Sequence, residues 1–213
     1  MKFVVFDTET NGLYRKGFPM SQQPYILQLS WLVIKDNKNA TIKDFFIKIP
    51  EDIEIPKEAT NINGITKEYL NEHGVDIHTA LQEFINDISN ADFLVAHNIS
   101  FDENMVNLEF ARLNMRSNII DNMIPDNCKK YCTMMNGKLI CNIERVNRYG
   151  KYIKYPKLSE LYTKFFPNDE EVENLHNSKV DVICTSRCFC KMHDLFKLDI
   201  FETIPNFRNE IKN

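Results

Sequence analysis

The chain is 213 residues long, 43% hydrophobic and 26% charged, with a formal net charge of −4. That length fills one α/β core and would leave two full domains short of buried surface, so a single domain over 1–213 is expected. The composition excludes bulk disorder, collagen-like repeats and a disulfide-stapled mini-scaffold, and the acid excess argues against gripping duplex nucleic acid through the global field.

In chain order, KFVVF (2–6) is an apolar, β-branched and aromatic run that ends at Asp7, as a strand buried on both faces does. Met1 to Val5 lacks the basic, apolar and small-residue regions of a secretory signal. The longest apolar run, Tyr25 to Ile34, is broken by Gln28 and Ser30 and is too short to span a bilayer. No membrane partner is expected, and the default compartment is the cytoplasm, or the nucleus in a eukaryote. Ile26–Ile34 and Thr41–Ile49 read as a hairpin turning at Asp36–Asn39. Gly64 and Thr66 suit a turn before a capped helix, and Asp76 can cap another through about Ile88. Phe93–His97 is a short apolar strand leading through Asn98 and Ser100 into a helix over 101–115, with Phe101, Met105, Leu108 and Met115 at helical spacing. Residues 118–157 read as irregular, with a short strand or turn near Tyr131–Met134. Leu158–Phe166 is a helix stopped by Pro167. Ser178–Phe196 is a final helix with Val180, Cys184, Cys188, Met192 and Leu195 along one stripe.

The cysteines Cys184, Cys188 and Cys190 fall within that last helix, which favours reduced thiols packed as small apolar groups. Cys128, Cys132 and Cys141 form no CxxC pair and have no nearby histidine to complete a zinc site.

The acids carry the chemistry. Asp7 and Glu9 stand two apart, so a strand that continues through them projects both carboxylates from one face, a place for a hard cation. Alone, the pair reads sooner as a solvated strand end with incidental acids. Asp102 follows a second central strand at a helix N-terminus, where the backbone dipole favours an anion. If the two strands are neighbours, Asp102 reaches the same sheet edge, where α/β folds place ligands. His176 and Asp181 are five residues apart, about 140° round a helix, so His176 belongs to the preceding loop, with Asn177 or Ser178 as cap, and Asp181 to the helix. His176, on its loop, is expected to be the mobile member. Four carboxylates without paired histidines or cysteines suit Mg²⁺ or Mn²⁺, and two such ions about 3.5 to 4 Å apart are a standard phosphoryl-cleaving arrangement. A histidine, titrating near 6.5 when unperturbed, can take a water's proton at neutral pH.

FDTETNG (6–12), HNISFD (97–102) and HNSKVD (176–181) resemble, in order and spacing, the three motifs of the DnaQ-like DEDDh exonuclease family. The likeness extends to ATNINGITKEYL (59–70), YCTMM (131–135) and YPKLSELYTKFF (155–166). It implies a ribonuclease H-like mixed β-sheet flanked by α-helices, two Mg²⁺ or Mn²⁺ ions, and release of nucleoside 5′-monophosphates from the 3′ end of a single strand. DNA is favoured over RNA because the overall resemblance is to proofreading-type chains. Carried over by residue, Asp7, Glu9, Asp102 and Asp181 become metal ligands and His176 the general base. Thr8 and Thr10 become backbone contacts to the terminal nucleotide, and Leu13 and Phe101 walls of the base pocket, with plain packing beside the site as the competing reading. Association with a polymerase or repair complex also follows from the likeness.

Residues 129–157 hold eight basic side chains against one acid, a local charge of +7 on a remainder of −11. Arg148, Lys151, Lys154 and Lys157 alternate with Tyr149, Tyr152 and Tyr155, a mixture suited to phosphates and stacked bases; the alternative is a solvated hairpin whose tyrosines pack on the body. Two rival functions remain. A haloacid-dehalogenase or actin-like phosphotransferase would explain FDTET and neither later motif. A non-catalytic nucleic-acid-binding or polymerase-associated module of the same fold would tolerate loss of a signature residue, and none is missing.

Overall fold

The computed structural model describes residues 1–36, 39–117, 128–169 and 176–193. The strands are β1 (Lys2–Thr10), β2 (Ile26–Lys35), β3 (Asn39–Phe46), β4 (Phe93–Ala96) and β5 (Lys129–Cys132), joined in one sheet in the order β3-β2-β1-β4-β5. A separate hairpin pairs β6 (Glu144–Asn147) with β7 (Gly150–Ile153). The α-helices among the described residues are α1 (Lys57–Asn63), α2 (Lys67–His73), α3 (Ile77–Ile88), α4 (Ile99–Ser117), α5 (Thr133–Cys141), α6 (Leu158–Phe165) and α7 (Ser178–His193), and Met20–Gln22 forms a single 3-10 turn.

β1 runs antiparallel to β2 and parallel to β4, and β4 parallel to β5, so the sheet is mixed. Its central strand places alternate side chains on opposite faces. Val4 and Phe6 join Leu29, Trp31, Ala80, Phe84 and Met105 beneath α3 and α4. Phe3 and Val5 join Leu32, Val95, Val182, Ile183 and Phe189 beneath α7. α6 packs on the outer side of α7 through Leu161, Tyr162, Val180, Cys184 and Cys188. Three of the five positions of the expected cysteine-bearing stripe are therefore a helix seam, with Met192 partly buried beside it, while Leu195 lies outside the described residues.

Local signals explain the helix ends. Thr66 accepts from the Tyr69 N–H and Asp76 from the His78 N–H, as N-caps do, while Gly64 closes α1 with a left-handed φ of 71°. α1 itself, begun after Pro56 and burying no residue, was not expected from the pattern. The short strand or turn expected near Tyr131–Met134 overlaps β5, while the reading of the rest of the basic segment as irregular is corrected by α5 and the β6–β7 hairpin; residues 118–127 lie outside the described residues. Gly137, in the middle of α5, disguised that helix. A Cβ there would stand 2.9 Å from a Leu161 methyl and 3.3 Å from Pro156 Cγ, so the glycine is set by the close approach of α6.

Candidate active site

β1 continues in extended form past Asp7 to Thr10, so Asp7 and Glu9 do share a face. Following the alternation of Phe3 and Val5, they look toward α7. Thr8 follows Val4 and Phe6 to the other face, where Asp102 in the first turn of α4 meets it. Asp102, only 2% exposed, accepts through Oδ1 from the Thr8 backbone N–H at 3.0 Å and from the Thr8 hydroxyl at 2.9 Å. The two helices thus bring their acids from opposite faces of the sheet to the end of one strand.

On the α7 side the helix N-terminus is tied directly to that strand. The Ser178 hydroxyl donates to the Asp7 carbonyl at 2.7 Å, and the Ser178 N–H donates to Gln28 Oε1 at 3.3 Å. Gln28 lies opposite Glu9 in the β1–β2 register, and its amide donates in turn to Asp44 at 2.8 Å. Asn177 caps the helix by accepting from the Lys179 N–H at 3.1 Å. His176 precedes it in a turn, exposed, with a left-handed φ of 83°. His176 is thus off the helix while Asp181 is on it, in the arrangement that their five-residue spacing requires.

Ligand atoms of Glu9, His176 and Asp181 all lie within 4.8 Å of one another. Asp7 is the common electrostatic neighbour, its charge acting on Glu9, Asp102 and Asp181 alike. Burial pushes Asp7 up to about 7, with the Ser178 hydroxyl acting the other way. Burial, then the charges of Asp7 and Asp181, push Glu9 up to about 9. Asp102 is raised well above the usual carboxylate range by burial and then Asp7, against the Thr8 donors. Asp181 is raised likewise by burial and then Asp7, with the His176 backbone acting against the rise. Among the described residues, no cationic side chain is in a salt bridge with any of these four crowded carboxylates, which resist ionisation. Asp181 Oδ1 is moreover buried without a hydrogen-bond partner, a costly state for a carboxylate oxygen. Hard oxygen donors, an orphaned carboxylate oxygen and a three-sided ligand cluster fit a divalent cation.

Leu13 stands 77% exposed on the loop after β1, and Phe101 is partly buried against the core below α4. The Thr10 hydroxyl donates to the Gly12 carbonyl at 2.7 Å. The Thr8 N–H is engaged by Asp102. Sequence reasoning missed the roles of three residues here: Ser178, which it weighed only as a cap, Gln28 and Asn63. The last donates to the Thr10 carbonyl at 3.4 Å and also eases the ionisation of Glu9. The NING stretch and the polar interruption of β2 at Gln28 were their available signals.

His97, which opens the second motif, is structural. Its ring bridges Thr133 Oγ1 at 3.0 Å and the Pro156 carbonyl at 3.1 Å. Since a carbonyl only accepts, Nε2 carries the proton and Nδ1 is the acceptor toward Thr133. Burial lowers this imidazole to about 4.

A sequence profile described as exonuclease matches residues 4–189. A PolC-type DNA polymerase III of Mycoplasmopsis pulmonis is 29% identical over 197 residues, covering 92% of this chain and 12% of that protein. The DNA polymerase III subunit epsilon of Buchnera aphidicola subsp. Schizaphis graminum is 31% identical over 121 residues, covering 57% of this chain and 50% of that protein. The chain thus spans half or less of the length of these two relatives. In fold it is similar to E. coli Exonuclease I in complex with a dT13 oligonucleotide, with a TM-score of 0.68 and 16% identity, over 94% of this chain and 42% of that one. It is also similar to Exonuclease X in complex with 5′ overhanging duplex DNA, with a TM-score of 0.58 and 19% identity, over 91% and 92% of the two chains. The mixed sheet with flanking helices is the ribonuclease H-like fold of these neighbours. With the profile running from β1 into α7 and so across the whole acidic edge, the chain belongs to the exonuclease family.

Proposed function

We propose that this chain is a metal-dependent 3′ to 5′ exonuclease that removes nucleoside 5′-monophosphates from single-stranded DNA. The observation that carries the reading is the meeting of Asp7, Glu9, Asp102 and Asp181 at one sheet edge, each held above its usual ionisation range and Asp181 with an orphaned oxygen. Asp7, Glu9, Asp102 and Asp181 would hold two Mg²⁺ or Mn²⁺ ions, which supply Lewis-acid stabilisation to the scissile phosphate and its leaving oxygen.

The chain's own groups do the rest. His176, exposed beside Glu9 and Asp181, takes a proton from the attacking water. The water oxygen bonds to phosphorus, the bond from phosphorus to the 3′ oxygen breaks, and that oxygen leaves as the new 3′ hydroxyl after protonation. Thr8 holds Asp102, and Ser178 fixes the start of α7, so the carboxylates do not have to be gathered at each turnover. Thr10, Leu13 and Phe101 border the approach to the strand end. The polymerase names of the relatives support work beside a DNA polymerase, in the cytoplasm.

The test mixes the protein with 5′-labelled single-stranded DNA and RNA, with Mg²⁺ or Mn²⁺, alongside Asp181→Ala and His176→Ala. A ladder shortening from the 3′ end is expected on DNA, abolished by EDTA and by Asp181→Ala. Equal cleavage in EDTA sinks the mechanism, and strand binding without shortening under any metal leaves a non-catalytic module.

A further inference from the structure

The β6–β7 hairpin stands clear of the core. Every residue of β6 and the first three of β7 are exposed, so neither face is covered by the body, and an isolated two-stranded hairpin has little stability of its own. It is held at its root. The Lys154 N–H donates to the Ile143 carbonyl at 3.0 Å, and the Lys154 ammonium holds both Glu160 oxygens, at 2.6 and 2.7 Å. Two residues on, the Pro156 carbonyl receives the His97 ring N–H. His97 directly follows β4 and lies five residues before Asp102, so this leg of the hairpin is anchored at the acidic edge of the sheet.

The exposed side chains are of two kinds. Arg145 is paired across the hairpin with Tyr152, on one face. In the turn, the Arg148 guanidinium lies 4.7 Å from the Tyr149 ring centre. Tyr149 is 81% exposed and Tyr152 44%, so neither tyrosine serves mainly to fill the core. Among the described residues neither Arg145 nor Arg148 is in a salt bridge within 4 Å, although the charge of Arg145 is felt by Glu160 at the hairpin root. The body beneath carries the chain's acid excess, so the basic hairpin is where a polyanion is drawn in. Four-residue strands extend about 13 Å, the length of about four stacked nucleotides at roughly 3.4 Å each.

We propose that the hairpin is a strand guide, which grips single-stranded nucleic acid on the 5′ side of the end being cleaved. Bases stack on Tyr149 and Tyr152, and phosphates meet Arg145 and Arg148. This rests on the exonuclease reading above and adds to it the surface that feeds the site.

The experiment measures anisotropy of 5′-fluorescein dT20 with the full chain in EDTA, for wild type, Tyr149→Ala/Tyr152→Ala and Arg145→Gln/Arg148→Gln. The tyrosine pair is expected to weaken binding roughly tenfold or more at an unchanged salt slope. The arginine pair is expected to weaken binding and to lower the slope of log Kd against log salt by about 1.4. With Mg²⁺, cleavage of a labelled trinucleotide stays at the wild-type rate while KM for dT20 rises. Wild-type affinity and slope in both variants overturns the strand guide. So does wild-type strand binding joined to a changed sedimentation profile, which makes the face a protein-docking surface, or equal loss on the trinucleotide and dT20. A wild-type protein that shortens neither substrate, yet binds dT20 through the hairpin, sinks the exonuclease reading and leaves the guide standing.

Discussion

Glu9→Gln is expected to stabilise the metal-free protein in alkaline buffer while removing its activity. Glu9 is pushed up to about 9 by burial and by Asp7 and Asp181, whereas in the unfolded chain a glutamate ionises near its ordinary value of about 4.3. Between those two values the folded state keeps a proton that the unfolded state releases, so stability falls as pH rises, by about 1.4 kcal/mol per unit. From pH 5 to pH 8 the accumulated loss reaches about 4 kcal/mol at most, or roughly 8 to 16 °C in Tm for a chain of this size. Glutamine carries no charge and removes that slope. In EDTA the two proteins should melt together near pH 5 and separate by pH 8 with the variant higher, and Mn²⁺ should then raise wild type more than the variant. Asp7, Asp102 and Asp181, raised like Glu9, slope the same way in both proteins, while Asp87 and Glu160, held below their usual range by contacts including Lys43 and Lys154, add little slope above pH 5, so the difference between the two melts is the readout. A variant no more stable than wild type at pH 8, or a gap that does not change with pH, refutes the electrostatic account of the acidic edge.

His97→Ala should cost about 2 to 3 kcal/mol in urea unfolding, because Thr133 and Pro156 lose a buried partner. The pH dependence of its remaining activity should match that of wild type. In wild type, the contribution of His97 is full above about pH 6.5 and is lost as pH falls toward about 4, where the folded imidazole takes its proton. Ser178→Ala should cost about 1 kcal/mol and lower kcat more than it raises KM, with partial rescue by Ser178→Thr. Phe84→Ala, deep between α3 and the sheet, should cost about 3 to 5 kcal/mol yet leave activity per folded molecule intact.

The sheet and the final helix were legible because burial on two faces leaves a mark on sequence: KFVVF and FLVA hold no polar residue inside the sheet except Lys2, at its start. The five signature residues were legible through motif order, and the turn before α7 could be placed because helical angles forbid His176 and Asp181 a common face. The hairpin was hard to read for the opposite reason. Its strands are solvated on both sides, so nothing imposes an alternation of apolar and polar residues. α5 was obscured by Gly137, whose reason lies in a neighbour that sequence does not show. Thr8 was read as a contact to nucleotide through its backbone, and its N–H is engaged by Asp102 from α4. Pairings between residues far apart in the chain leave no local trace.

One such pairing, the hydrogen bond from Ser178 to Asp7, joins residues 171 apart in the chain. Closing so long a loop is among the slower acts of folding, and it is the closure that brings His176 and Asp181 to Glu9. A nascent chain still short of α7 holds three of the carboxylates but has neither the fourth nor the imidazole, and the sheet face of Phe3, Val5, Leu32 and Val95 is still without its cover. The acidic edge is therefore complete only once synthesis has passed α7, the last of the elements that build it.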